Sequence, residues 1–105
     1  MRQVGVTEIG GVEAVVKVMK TFPKWQALQE RACYSLANFA CCSIGVENAI
    51  ESGGIELLLA AVNNHLVSAD VCEYACWALH NIVDGSKENI RLLISLGGGA
   101  TVAKI

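Results

Sequence analysis

The feature that most constrains the fold of this chain is an internal repeat of about 43 residues. A glycine pair at Gly10-Gly11 recurs at Gly53-Gly54 and again at Gly97-Gly98, and the first glycines lie 43 and then 44 residues apart. Periods of roughly 20–50 residues are typical of architectures in which each unit buries its apolar face against its neighbours. The spacing therefore predicts a linear array of similar units.

A second block repeats at the same distance. Residues 32–39 match residues 75–82, since both segments carry Ala-Cys at the start, leucine at the fifth position and asparagine at the seventh. A third pair, Glu47-Asn48 and Glu88-Asn89, is offset by 41 residues. This shorter offset predicts about three extra residues in the later copy, ahead of its glycines.

The apolar spacing inside each unit predicts three helices, because apolar residues recur at i, i+3, i+4 and i+7. The glycine pair is expected to end the first helix, since glycine tolerates the left-handed conformation at a helix C-terminus. The third helix is the longest and contains the repeated Ala-Cys and asparagine block. The predicted ranges are 46–51 and 87–95 for the first helix, 12–20, 55–63 and 100–105 for the second, and 26–40 and 69–83 for the third.

No strand pattern occurs, so the predicted fold class is all-α. The units are expected to span residues 1–42, 43–85 and, as a partial unit, 86–105. Leu36 and Leu79 are predicted to be buried at equivalent positions. Because the last unit stops inside its second helix, we expect the sequence to be part of a longer array. We also expect Val102 and Ile105 to be exposed and to favour weak self-association.

Composition argues against several classes of function. The net charge of −2 provides no strong field toward nucleic acid or an anionic membrane. No apolar run reaches the roughly 18 residues of a membrane-spanning helix. The glycine pairs lack the Lys-Ser/Thr of a phosphate loop, and neither His65 nor His80 has a nucleophile at motif spacing. We therefore predict no enzyme and no cofactor, and His65 is expected to be a solvated loop residue.

The five cysteines match no disulfide framework, which indicates a reducing compartment. The expected location is the cytoplasm, with the nucleus as the alternative. Cys72, Cys76 and His80 lie at i, i+4 and i+8, but zinc needs four ligands and no fourth is visible, so no metal is predicted. Adjacent Cys41 and Cys42 are expected to be a helix-end pair with one thiol buried.

The period, the glycine pair before the second helix and the Ala-x-x-x-Leu-x-Asn block resemble armadillo repeats over nearly the whole chain. The resemblance implies a right-handed α-solenoid whose third helices line a concave groove. In importin-alpha and beta-catenin the block asparagine hydrogen-bonds the backbone of an extended peptide, and Asn38 and Asn81 hold that position here. In importin-alpha a tryptophan four residues earlier stacks against lysine stems; Trp77 matches it, and Tyr34 replaces it in the other unit.

Helical spacing supports a binding surface independently. Trp77 and Asn81 are four residues apart and lie on one face of a helix. An amide inside a helix has poor propensity and requires partners, which an extended peptide backbone can supply. The predicted surface binds a protein or extended peptide and comprises Arg31, Tyr34, Asn38, Asp70, Tyr74, Trp77 and Asn81.

Two alternatives to this interpretation remain at the level of sequence. In the first, Asn38 and Asn81 tie neighbouring units together through backbone bonds and Trp77 fills a gap between units, so that the chain is a structural spacer. In the second, the groove binds a basic nuclear-import peptide. The second is disfavoured because Arg31 stands where acids hold lysine side chains, and Glu30 and Glu73 are expected on the flank.

Overall fold

The computed structural model describes the backbone of residues 4–105 and the side chains of residues 11–105. Within that part of the chain every regular element is a helix, and the all-α prediction is confirmed. The helices are α1 (Val4–Thr21), α2 (Gln26–Phe39), α3 (Ser43–Glu51), α4 (Gly54–Asn64), α5 (Ala69–Val83), α6 (Lys87–Ser95) and α7 (Gly98–Ala103).

The repeat is visible in the order and length of the helices. Helices α2, α3 and α4 recur as α5, α6 and α7, and α3 and α6 are both nine residues long. Helix α5 has 15 residues against 14 in α2, and α3 and α6 therefore begin 44 residues apart. Since the two Glu-Asn pairs are only 41 residues apart, the expected equivalence of Glu47-Asn48 with Glu88-Asn89 is wrong. The first pair lies in the middle of α3, and the second lies in the first turn of α6.

The glycine pairs at 53–54 and 97–98 make the sharp turn between two helices. Gly53 and Gly97 have φ angles of 83° and 90°, in the left-handed region that is strained for residues with a Cβ. The second glycine of each pair is the first residue of the next helix, and its backbone lies close to the preceding helix. A Cβ on Gly54 would lie 2.7 Å from the carbonyl oxygen of Ala49. Each pair therefore combines a turn with a close helix contact.

The first glycine pair has a different role. Helix α1 continues through Gly10-Gly11, so the expected helix start at residue 12 is wrong. A Cβ on Gly11 would lie 2.5 Å from the ring of Phe39 at the end of α2. At this copy of the repeat, glycine allows a side chain of α2 to approach the surface of α1.

The core lies between helices of successive units. Helices α2 and α5 pack most extensively against each other, and α1, α4 and α7 are neighbours in the same order. Leu36 and Leu79 are 0% and 4% exposed, as predicted. Fully burying such a side chain contributes about 2 kcal/mol, which is why the leucine recurs in the block.

Side-chain amides complete the ends of two helices. The last carbonyl groups of a helix have no partner inside it. The Nε2 of buried Gln29 donates to the carbonyls of Met19 and Phe22 at 3.2 and 3.0 Å, and so closes the end of α1. The Nδ2 of Asn89 donates to the carbonyl of Ile82 at 2.9 Å near the end of α5. These amides link successive helices by satisfying their free carbonyls.

The loops after α1 and α4 are also joined. The Nε2 of His65 donates to the carbonyl of Pro23 at 2.8 Å, and the side chain is only 7% exposed. The Nζ of Lys24 donates to the Oδ1 of Asn64 at 3.3 Å. The expectation that His65 is a solvated loop residue is wrong, because the neighbouring unit's loop packs over it.

The last helix begins two residues before the predicted range of 100–105 and ends at Ala103. The side chains of Val102 and Ile105 are 47% and 57% exposed, as expected. Along the part of the chain that the structure describes, no helix has both the length and the apolar character needed to cross a bilayer.

Candidate functional site

Three aromatic rings form a cluster across the contact between α2 and α5. The ring centroid of Tyr34 lies 5.3 Å from that of Tyr74 and 5.8 Å from that of Trp77, with interplanar angles of 66° and 59°. These tilted geometries are favourable for aromatic pairs. Tyr34 and Trp77 hold equivalent positions 43 residues apart, and the packing of α2 on α5 brings them together. We call Tyr34, Tyr74 and Trp77 the aromatic cluster.

The aromatic cluster remains open to solvent. Tyr34 is 47% exposed and Trp77 is 38% exposed, while Tyr74 is half-buried. Cys33, next to Tyr34, and Leu79, two residues after Trp77, are buried in the core. The 3.6-residue period of the helix thus turns the small and aliphatic side chains inward and the rings outward. Three contacting rings on a surface offer apolar area that a partner can cover.

A cavity of about 330 Å³ adjoins the aromatic cluster. Two carboxylates and one guanidinium share it, so it offers both signs of charge to a bound chain. The Glu30 carboxylate also accepts a hydrogen bond from the Oγ of Ser68 at 3.2 Å. The expectation that Glu30 lies on the flank is wrong. Its side chain lines the same cavity as Tyr34 and Tyr74, where Ser68 at the start of α5 binds it. The cavity is lined by Glu30, Arg31, Tyr34, Asp70 and Tyr74.

The two block asparagines have different environments. Asn38 is exposed, and its Nδ2 donates to the carbonyl of Tyr34 in its own helix at 3.2 Å. Asn81 is half-buried, and its Nδ2 donates to the carbonyl of Ala37 in α2 at 2.9 Å. The amide of Asn81 is thus partly used in joining α5 to α2. Its Oδ1 has no hydrogen-bond partner within the described residues.

A larger cleft of about 660 Å³ lies on the far side of Asn81, between the α2–α3 and α5–α6 turns. Its charged side chains are all acidic, namely those of Glu47, Asp84 and Glu88. Cys41 and Cys42 also line it, and both are exposed. The expectation that one of these thiols is buried is wrong, because both residues lie in the short surface turn between α2 and α3.

The thiols inside the helices differ from those in the turn. Burial, together with a smaller effect of the nearby Cys72, raises the pKa of the Cys33 thiol to about 12. Burial and Cys72 also raise the pKa of Cys76. These thiols are therefore protonated at neutral pH and pack as small apolar groups. No group of three or more histidine, cysteine or acidic side chains suited to a metal ion occurs among the described residues.

The seven predicted site residues all lie on α2 and α5, and the structure groups most of them. The rings of Tyr34, Tyr74 and Trp77 meet, and Arg31 and Asp70 line the cavity beside them. Sequence reasoning missed the capping roles of Gln29 and Asn89. The signal was available, because an amide placed shortly before or after a helix end often satisfies free carbonyls.

Comparison with known proteins gives one similarity. The chain is 29% identical over 98 residues to Protein aardvark of Dictyostelium discoideum. The alignment covers 85% of this chain and 13% of that protein, so the chain spans about an eighth of the length of this relative. No family model matches the chain. No solved structure matches it either.

Proposed function

We propose that this chain is an armadillo-type, right-handed α-solenoid segment that binds an extended peptide across its α2–α5 surface. The observation that carries the proposal is the aromatic cluster, in which the exposed rings of Tyr34 and Trp77 hold equivalent positions of two successive units. A spacer segment would gain stability by burying these rings, whereas a binding segment keeps them accessible to its partner.

The chemistry of the surface suits a peptide main chain flanked by long side chains. Aromatic faces hold aliphatic stems and attract cations. The exposed amide of Asn38 offers both a donor and an acceptor, and the Oδ1 of Asn81 offers an acceptor to a backbone N–H. Beside the rings, Asp70 and Arg31 can pair with side chains of either charge. The bound segment is therefore expected to be extended, with apolar or long side chains over the rings.

In this role the chain is a binding module without catalysis, cofactor or nucleic acid. The acidic net charge gives no attraction to phosphate backbones. Several cysteines sit as buried or half-buried thiols inside helices, a use that suits the reducing cytoplasm or nucleus. A basic peptide of the nuclear-import type is a weaker candidate, since Arg31 stands in the cavity with the two acids.

One observation favours the alternative of a structural spacer. The Nδ2 of Asn81 is bonded to the carbonyl of Ala37, so this asparagine joins neighbouring units. In that alternative the surface has no peptide partner and the rings only shield the α2–α5 contact.

The experiment screens the intact chain against an array of short linear peptides and compares three variants. Tyr34→Ala and Trp77→Ala each remove an exposed ring, and Val67→Ala is the control, since Val67 is 94% exposed and does not line the cavity beside the rings. We expect retained peptides to bind each ring variant about tenfold or more weakly, as for aromatic hot spots, and to bind the control normally. A chain that retains no peptide, or retains the same peptides without the rings, contradicts the proposal.

A further inference from the structure

Four large apolar side chains are exposed on the two loops that precede α2 and α5. Phe22 and Trp25 are 45% and 56% exposed in the first loop, and Leu66 and Val67 are 42% and 94% exposed in the second. Both loops lie inside the chain, between α1 and α2 and between α4 and α5. Large apolar groups gathered on a surface mark a site of contact with a partner. We call residues 20–25 and 63–67 the loop edge.

The two loops form one surface. The Nε2 of His65 lies 2.8 Å from the carbonyl oxygen of Pro23, so the second loop is bonded to the first. Within the first loop the rings of Phe22 and Trp25 meet edge to face, with centroids 5.7 Å apart and an interplanar angle of 87°. These contacts hold the apolar groups side by side.

Positive charge accompanies the apolar groups at the loop edge. Residues 14–29 contain three lysines and no acid. The Nζ of Lys24 donates to the Oδ1 of Asn64, and the Nζ of Lys104 donates to the Oδ1 of Asn63, both at 3.3 Å. Exposed lysines from the first and last units therefore border the second loop.

The other ends of α2 and α5 carry the opposite charge. The two helices have 14 and 15 residues and are therefore about 21 Å long. The larger cleft lies at their C-terminal ends, and its charged side chains are all acidic. Glu30 and Asp70, the first acids of the two helices, line the cavity beside the aromatic cluster. The net charge of −2 thus conceals a positive loop edge and a negative far edge.

The shape and composition of the loop edge favour a bilayer surface over a chain bound in a groove. Val67 projects from the molecule, since a side chain inside a groove cannot be 94% exposed. Aromatic rings, and tryptophan above all, are favoured at the boundary between lipid headgroups and acyl chains. Lysine places its charge beyond an apolar stem, so it reaches anionic headgroups while the stem covers apolar surface.

We propose that the loop edge docks this chain on the surface of an anionic phospholipid bilayer. Trp25 and Val67 enter the interface, and Lys20 and Lys24 contact the headgroups. Because the acidic far edge is repelled, α2 and α5 point away from the membrane and their shared surface stays open. Docking of this kind does not depend on peptide binding at the α2–α5 surface.

Co-sedimentation of the intact chain with phosphatidylcholine vesicles that contain or lack phosphatidylserine tests the proposal. Trp25→Ala and Val67→Ser each remove apolar surface from the loop edge. The double variant Lys20→Gln with Lys24→Gln removes its charge. Val67→Ser changes a side chain that is 94% exposed, so it tests the surface without disturbing the core.

Matched controls make the same kinds of change at the far edge. Ile44→Ser removes an apolar side chain that is 44% exposed in the first turn of α3. Lys87→Gln removes an exposed lysine at the start of α6. Circular dichroism melts establish that every variant is folded.

The wild type and both controls are expected to bind the vesicles that contain phosphatidylserine and to be released as salt is raised, because salt screens exposed charges. The double lysine variant should bind roughly tenfold or more weakly. Trp25→Ala and Val67→Ser should each bind about threefold or more weakly, since less apolar surface leaves water.

Tryptophan fluorescence identifies the surface that meets the lipid, because the chain has only two tryptophans. In Trp77→Phe, the emission of Trp25 should move to shorter wavelength when the vesicles are added. In Trp25→Phe, the emission of Trp77 should not change, since the aromatic cluster stays in water.

Four results overturn the proposal. They are a wild type that does not bind the anionic vesicles, equal binding to vesicles of phosphatidylcholine alone, loop-edge variants that bind as the wild type does, and a shift at Trp77 in place of Trp25. A chain that ignores vesicles but binds a free peptide of alternating leucine and glutamate through Lys20 and Lys24 also overturns it, and indicates an acidic protein partner.

Discussion

The side-chain Nδ2 of Asn81 lies 2.9 Å from the carbonyl oxygen of Ala37, across the contact between α5 and α2. Ala37 is fully buried and is close to the end of α2, where carbonyls lose their partners within the helix. The backbone N–H of Cys41 donates to the carbonyl of Asn38 at 3.2 Å and not to that of Ala37. The asparagine of one unit thus closes the helix of the preceding unit.

This bond predicts different outcomes for the two block asparagines. Asn81→Ala leaves the Ala37 carbonyl without its amide donor and should lower the free energy of unfolding by about 1–2 kcal/mol. Asn38→Ala loses only an exposed bond within its own helix and should change stability by less than about 0.5 kcal/mol. Urea unfolding monitored by circular dichroism measures both. Equal losses in the two variants would show that the bond between units contributes nothing measurable.

The glycine that begins α4 is predicted to be intolerant of any side chain. In Gly54→Ala the new Cβ meets the Ala49 carbonyl at 2.7 Å, and relieving that clash should cost about 1–3 kcal/mol. Gly99→Ala is the matched control in the first turn of α7, where a Cβ meets nothing within 4 Å. There alanine should be neutral or stabilise by up to about 1 kcal/mol. Thermal melts that rank the two variants in the opposite order would contradict this account of the glycine pair.

Removal of a core leucine is expected to destabilise this chain of 105 residues severely. Leu79→Ala deletes a side chain that is 4% exposed and should cost about 2–5 kcal/mol. Since small domains are stable by only about 5–15 kcal/mol, a large part of the total is lost. Val67→Ala, at a position 94% exposed, should change stability by less than about 0.5 kcal/mol. A loss below about 1 kcal/mol in Leu79→Ala would mean that this side chain does not hold α5 in place.

The buried thiol of Cys33 is predicted to lower stability at alkaline pH. Burial raises its pKa from the ordinary value of 9.0 to about 12, so above pH 9 the unfolded chain releases a proton that the folded chain keeps. The stability that this group contributes is complete below pH 9 and falls by about 1.4 kcal/mol per pH unit until the folded group titrates.

The measurement compares the wild type with Cys33→Ala. Between about pH 8 and about pH 10.5 the wild type should lose roughly 1–2 kcal/mol more than the variant. In labelling at about pH 8, Cys41 should react with a thiol reagent in the folded protein and Cys33 should react only after unfolding, since the thiolate is the reactive form. Parallel pH profiles, or fast labelling of Cys33, would contradict the assigned burial.

Local physics was sufficient to determine several features from the sequence alone. The apolar period predicted the faces of α2 and α5, including the burial of Leu36 and Leu79. Gly53 and Gly97 were identified as helix ends, because the left-handed conformation is a property of the residue itself. The grouping of Tyr34 with Trp77 followed from their equivalence in the repeat.

Tertiary contacts decided which structure each copy of a repeated sequence motif adopts. Gly10-Gly11 resembles the other pairs in sequence, yet α1 runs through it, and Gly11 makes room for Phe39 instead. Asn38 and Asn81 share a motif, but Asn38 bonds a carbonyl of its own helix, whereas the packing of α5 on α2 brings the Ala37 carbonyl within reach of Asn81. His65 has the sequence context of a solvated loop, but the carbonyl of Pro23, 42 residues away, binds and covers it. These outcomes depend on groups distant in the chain, and hydrogen bonds and exclusion of water act only once packing has brought such groups together.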